Sequence, residues 1–266
     1  EGWKNVQDST SNTTGTSNIV ATGGTITTCG NCKIHTFTGP GTFTVSQAST
    51  TSAENVVSHL VVAGAGGGAS NQGSWGGGGG GAGGYREVKS PLTPYTASPL
   101  DGYPSAPNRV TVTAQAYPIT VGAGGGGGAA CGSGSCGAGT NGSNSIFSTI
   151  TSTGGGGGGA GWPGNRPSTD AAGKPGGSGG GATSSYYGGP SGTPAPGGSG
   201  NTPPVSPSQG NNGGSALVHP PHRVGGSGGG AGAVGADNSS GPGGNGVATE
   251  ITGSSVTRAG GGGAGG

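Results

Sequence analysis

The sequence predicts an all-β chain joined to polyglycine II. A small antiparallel β module stands beside a bundle of packed, left-handed three-residue glycine helices, with almost no α-helix. Three observations predict this. First, 73 of the 266 residues are Gly and 19 are Pro, and glycine costs about 0.8–1.0 kcal/mol against alanine at each helical position. Second, only 6% of the chain is charged, whereas disordered chains are typically charge-rich. Third, short apolar runs repeatedly turn into glycine. Leu60-Val61-Val62-Ala63 enters Gly64 to Gly68, and Ile119-Thr120-Val121 enters Gly122 to Gly128. Ile150 to Thr153 enters Gly154 to Gly159, Val256 to Ala259 enters Gly260 to Gly263, and a weaker copy starts at Arg223-Val224.

Taken in order, residues 1–20 are polar and read as a linker or a join to a preceding part. Residues 21–63 read as a small β module. Within it, Thr25 to Cys29 and Cys32 to Thr38 are β-branched and roughly alternating, with Gly30-Asn31 between them. Two such runs around a two-residue Gly-Asn turn signal a hairpin in which Cys29 faces Cys32. Gly39-Pro40-Gly41 is a second break between strands, and residues 56–63 complete the module. Residues 64–266 read as the glycine-rich bundle with Pro/Ser/Asn-rich loops and short strands. Strands are expected at 109–121, 145–151 and 247–258, and the longest irregular pieces at 162–175, 182–196 and 201–224.

Consecutive glycines without a Gly-X-Y period are not collagen, which leaves a flexible linker or a three-residue helix of polyproline II shape. Ordering one residue costs about 1–2 kcal/mol, with glycine at the costly end. A hydrogen bond between neighbouring rods returns a net of about 0.5–1.5 kcal/mol, so order requires many rods at once. The runs 64–68, 76–84, 122–129, 154–161, 176–181, 225–235 and 260–266 supply at least seven. The packed bundle is therefore the expectation.

Composition also excludes functions. The net charge is +1 with nine basic residues scattered along the chain, so the clustered cations of a nucleic-acid partner are missing. No apolar run approaches the ~18 residues of a membrane span. The chain lacks an initiating Met and a signal-like opening, and reads as a processed or excised piece. Zero Met and four Cys suit an extracellular protein with short disulfide loops. Cys29/Cys32 and Cys131/Cys136 are the candidate pairs, with free thiols and a metal site as the alternatives. Leu60 to Ala69 formally matches a strand followed by G-x-G-x-x-A, with Glu87 downstream. A dinucleotide site needs a helix after those glycines, and more glycine follows instead. No catalytic set can be assembled, since the acids are isolated, and no cofactor or metal is expected. His219 and His222 flank two prolines with no acid nearby, so a solvated loop is the simpler reading. Trp75, Tyr95, Tyr103, Trp162, Tyr186 and Tyr187 stand in loops or at rod ends. They either cap the bundle or supply rigid contact area to a partner. With Arg166, His219 and His222 they are the candidate receptor-contact residues.

A family resemblance rests on a series of segments. These are Thr36 to Val45, Leu60 to Gly64, Gly83-Gly84-Tyr85-Arg86-Glu87, Tyr117 to Gly122, and Asn144-Ser145-Ile146-Phe147. In that order they resemble the glycine-rich domain of phage tail-fibre and other virion structural proteins, especially of marine T4-like cyanophages. The resemblance covers most of residues 24–266 and extends more loosely to distal tail-fibre adhesins of T-even-like phages. Family members usually close with a Gly-Ile-Val-Ile-Val-Arg-Tyr strand, and this chain ends on Gly266 without it. Either the piece is truncated or that strand comes from elsewhere. The resemblance implies a non-enzymatic virion fibre or tip protein on the virion surface, a stiff platform presenting loops for host attachment. Its implied partners are other fibre or baseplate proteins and a host surface glycan or outer-membrane protein, with homo-oligomers possible. The rival reading is a purely structural decoration, shaft or extracellular filament subunit.

Overall fold

The computed structural model describes residues 18–29, 32–70, 76–131, 136–160, 171–183, 195–216, 224–237 and 241–265. Its described part is mostly β, with 3-10 turns at 52–55 and 106–108 and almost no α-helix. Thirteen short strands form: β1 Val20–Thr22, β2 Thr25–Cys29, β3 Cys32–Thr36, β4 Gly41–Gln47, β5 Val56–Val57, β6 His59–Val62, β7 Tyr85–Val88, β8 Val110–Thr111, β9 Ala116–Thr120, β10 Ser145–Phe147, β11 Ile150–Ser152, β12 Val247–Thr249 and β13 Val256–Arg258. Most are built from Val, Ile, Thr and aromatic residues, which fit a pleated, half-buried surface.

The β2–β3 hairpin has the expected register, Thr25 opposite Thr36 through Cys29 opposite Cys32. The larger sheet differs from expectation. Its order is β1-β4-β9-β10-β11, so the strands before residue 63 do not close a sheet by themselves. Residues Gly41 to Thr44 of β4 pair with Ile119 to Ala116 of β9. A two-stranded ribbon is marginal in water, and the early strands find their partners 75 residues or so downstream. The segment 145–151, read as one strand, is a hairpin. Phe147 pairs with Ile150, and Ser148 takes the left-handed φ of 53° that the two-residue turn needs. β7 was not singled out as a strand in the sequence; it pairs with β6.

The apolar core is small and lies in the β region: Val45, Val61, Val110, Val112, Tyr117, Phe147 and Ile150. Phe43 meets Phe147 edge-on, with ring centroids 6.1 Å apart. A second cluster joins Tyr85, Ala231 and Val247.

The glycine runs are bonded to one another, and the bonds recur every third residue. Gly78, Gly81 and Gly84 donate their N–H groups to Gly159, Gly156 and Thr153, while Gly79 and Ala82 donate to Gly226 and Gly229. The carbonyls of Gly78, Gly81 and Gly84 accept from Ala69, Gly66 and Ala63. These bonds measure 2.8–3.1 Å. Segment 177–183 bonds in this way to 79–82, 156–159, 171–174, 198–201, 211–214 and 226–229, a full ring of neighbours among the described residues. Contact is close enough to exclude any side chain. A Cβ on Gly180 would stand 2.1 Å from the Gly157 carbonyl oxygen, and one on Gly181 would stand 1.9 Å from that of Gly226. Where a methyl does fit, Ala171, Ala182, Ala195 and Ala216 gather into a buried cluster.

Candidate functional site

Between β7 and β8 the chain makes one long Pro-rich loop, 89–109, that carries two of the predicted contact residues. What positions it is a buried carboxylate. Glu87 sits on β7 at 2% exposure and accepts hydrogen bonds from the Tyr85 hydroxyl at 2.7 Å, the Ser98 N–H at 3.0 Å and the Thr249 hydroxyl. A buried carboxylate is tolerated only when its lone pairs are matched in this way. Asp101 repeats the device at the loop's far end, taking the N–H groups of Lys89 and Tyr103, both at 3.0 Å. Arg86 donates to Asn108 at 2.6 Å, and Asn108 donates to the carbonyls of Gly102 and Ser206. Burial pushes the Tyr85 phenol above its ordinary pKa, so it remains a donor to Glu87 at every physiological pH.

Held from beneath, the loop turns a mixed face to solvent. Tyr103 lies half-buried with the Arg109 guanidinium 4.3 Å from its ring centroid. Tyr95 lies half-buried with the Lys89 ammonium 5.9 Å away. Leu92, on the same loop, stands 59% exposed. A half-exposed aromatic ring packed with a cation can stack on a planar or sugar-like partner.

Trp75, Trp162, Arg166, Tyr186, Tyr187, His219 and His222 lie outside the described residues. The cysteine pairs divide. Cys131 and Cys136 are joined in a disulfide. Cys32 is a free thiol, so the expected 29–32 bridge is not formed, although the two backbones pair beside the turn. No three His, Cys, Asp or Glu converge as a metal site would need among the described residues. No described helix is long and apolar enough to cross a membrane.

Two other expectations change. Residues 201–210, read as part of an irregular loop, are built into the fold: Gln209 is fully buried, its side chain accepts from the Thr153 N–H at 2.9 Å, and its carbonyl accepts from Tyr85. Glu87 entered the sequence reading as the acid of a dinucleotide fingerprint and as the end of one resemblance segment. Its real partners lie 2, 11 and 162 residues away, and nothing local announces them.

A family model described as a glycine-rich domain matches residues 37–266 of the chain. No curated protein and no solved structure matches it.

Proposed function

The chain belongs to the glycine-rich domain family, and from that premise we propose that it is a non-enzymatic fibre or tip protein of a phage virion. In this reading its glycine segments are polyglycine II helices that pack into a stiff platform. The observation that carries the platform is the three-residue recurrence of the bonds between segments. A left-handed helix with three residues per turn returns every third N–H to one direction. Six neighbouring segments around 177–183 are what hexagonal packing of such helices provides.

The platform's task is to present loops. Loop 89–109 supports this role, because Glu87 and Asp101 hold the backbone that carries its half-exposed Tyr95–Lys89 and Tyr103–Arg109 pairs. Pre-set aromatic contacts bind with little loss of side-chain freedom. The ligand class is a host surface glycan or an outer-membrane protein, at the virion surface.

A panel of immobilised bacterial envelope glycans and outer-membrane proteins tests it. The parent protein is expected to bind a subset. The Leu92→Ala, Tyr103→Ala double variant should bind that subset at least about thirtyfold more weakly, since a hot-spot aromatic carries about 2 kcal/mol or more. No binding by the parent, or equal binding by the variant, removes the attachment role and leaves a purely structural virion part. Flattened or random bonding of the glycine segments, read from backbone amide exchange, removes the platform itself.

A further inference from the structure

Glycine is required in most of the array because no Cβ would fit, but one run keeps glycine where the chain has room for a side chain. Segment 122–130 lies at the edge of the array. Gly125 and Gly128 face inward and donate to the carbonyls of Ala65 and Gly68. A Cβ on them would stand 2.0 Å from the Thr140 oxygen and 1.9 Å from that of Gly137. Gly124, Gly126 and Gly127 are exposed. A Cβ there would meet nothing nearer than 3.7 Å, an ordinary van der Waals distance. Glycine at an unconstrained position costs stability through the entropy of the unfolded chain, and nothing within the molecule repays that cost.

The backbone gives a second, independent observation. Gly124 and Gly127, three residues apart, donate their N–H groups to no described residue, and their carbonyls accept from none. Elsewhere that spacing of donors meets a neighbouring glycine segment: Gly78 and Gly81, for instance, donate to Gly159 and Gly156. The edge therefore carries an unfilled line of donors, bare of side chains, at the repeat the array uses internally.

We infer that this edge is an assembly face and that its occupant is a glycine segment of a second copy of the chain. The complement must offer carbonyls at a three-residue spacing and no side chain toward the edge. The molecule itself exposes such a complement: Gly260 and Gly263 are exposed, and their carbonyls accept no hydrogen bond from a described residue. Joining different faces of successive copies makes the contact heterologous, so it closes into a ring or propagates as a filament. This inference rests on the platform reading of the glycine segments and is independent of host attachment.

Sedimentation equilibrium over a concentration series, with thermal melting alongside, tests it. The wild-type protein is expected to associate reversibly. The Gly124→Val, Gly127→Val double variant should sediment as a monomer and melt no lower than the dilute, monomeric wild type. Gly39→Val, at another glycine with nothing within 4 Å of a Cβ, should associate as the wild type does. A wild-type protein that stays monomeric, or a double variant that associates undiminished, overturns the assembly face. A double variant that melts below the dilute, monomeric wild type overturns it too, because those glycines would then serve the chain's own packing. The underlying platform fails separately, if Gly180→Ala melts like the wild type.

Discussion

His59 is buried beside Phe147, ring centroids 5.7 Å apart, and neither of its nitrogens makes a well-formed hydrogen bond, the Val57 backbone offering only a weak one. Burial, with the positive charge of Arg86 adding to it, lowers its pKa from 6.5 to about 4. The neutral ring is therefore the folded form, while the unfolded chain takes up a proton below about 6.5. Stability is complete above that value and is lost as pH falls toward 4, by up to about 3 kcal/mol from this group. Urea midpoints measured from pH 7 to pH 4 should show the loss, and His59→Phe should flatten it. Glu87 is the opposite case, a buried group with every partner present. Glu87→Ala orphans three donors and should cost about 3 kcal/mol or more, read as a lower denaturant midpoint. Among glycines, position decides the sign. Gly180→Ala forces a methyl against a carbonyl and should cost about 3 kcal/mol or more. Gly124→Ala has space and should gain about 0.5 kcal/mol by narrowing the unfolded ensemble.

At the level of elements, segments 122–130 and 137–143 form a hairpin of glycine runs. Gly137, Thr140 and Ser143 donate back to Ala129, Gly126 and Ala123, and the Cys131–Cys136 disulfide closes the tip. Reduction should lower stability by about 2 kcal/mol for so short a loop, with the largest gain in amide exchange in these two runs. This hairpin shows what the sequence made legible. The strand-to-glycine transitions, the β2–β3 register and the tendency of Cys131 to pair locally are all written in adjacent residues. Partner choice is not. β4 meets β9, Gln209 enters the β region from residue 209, and Glu87 waits for Thr249, because these pairings are selected by a shared core and matched donors across long separations. Glycine runs are the extreme case. With no side chains, Gly156 and Gly226 look alike in sequence, and only their phase in the array tells them apart. Of the candidate contact residues, Tyr95 and Tyr103 were recognisable as loop aromatics, but the cations stacked on them and the carboxylates beneath were not.

For the molecule as a whole, the interior is largely main chain. Side-chain packing holds the β region, and hydrogen bonds between glycine segments hold the remainder. Guanidinium, which solvates peptide groups as well as apolar ones, should loosen both. The recurrence of bonds at every third residue has one more consequence, a reading frame. One glycine inserted between Gly126 and Gly127 would move every later residue of that run onto the wrong side, so that Ala129 no longer meets Gly137. Three inserted glycines would restore the alignment and lengthen only the tip. Melting curves of the one-, two- and three-residue insertions should therefore fall, fall and recover. Such a scaffold tolerates length change in triplets, as a coding sequence does.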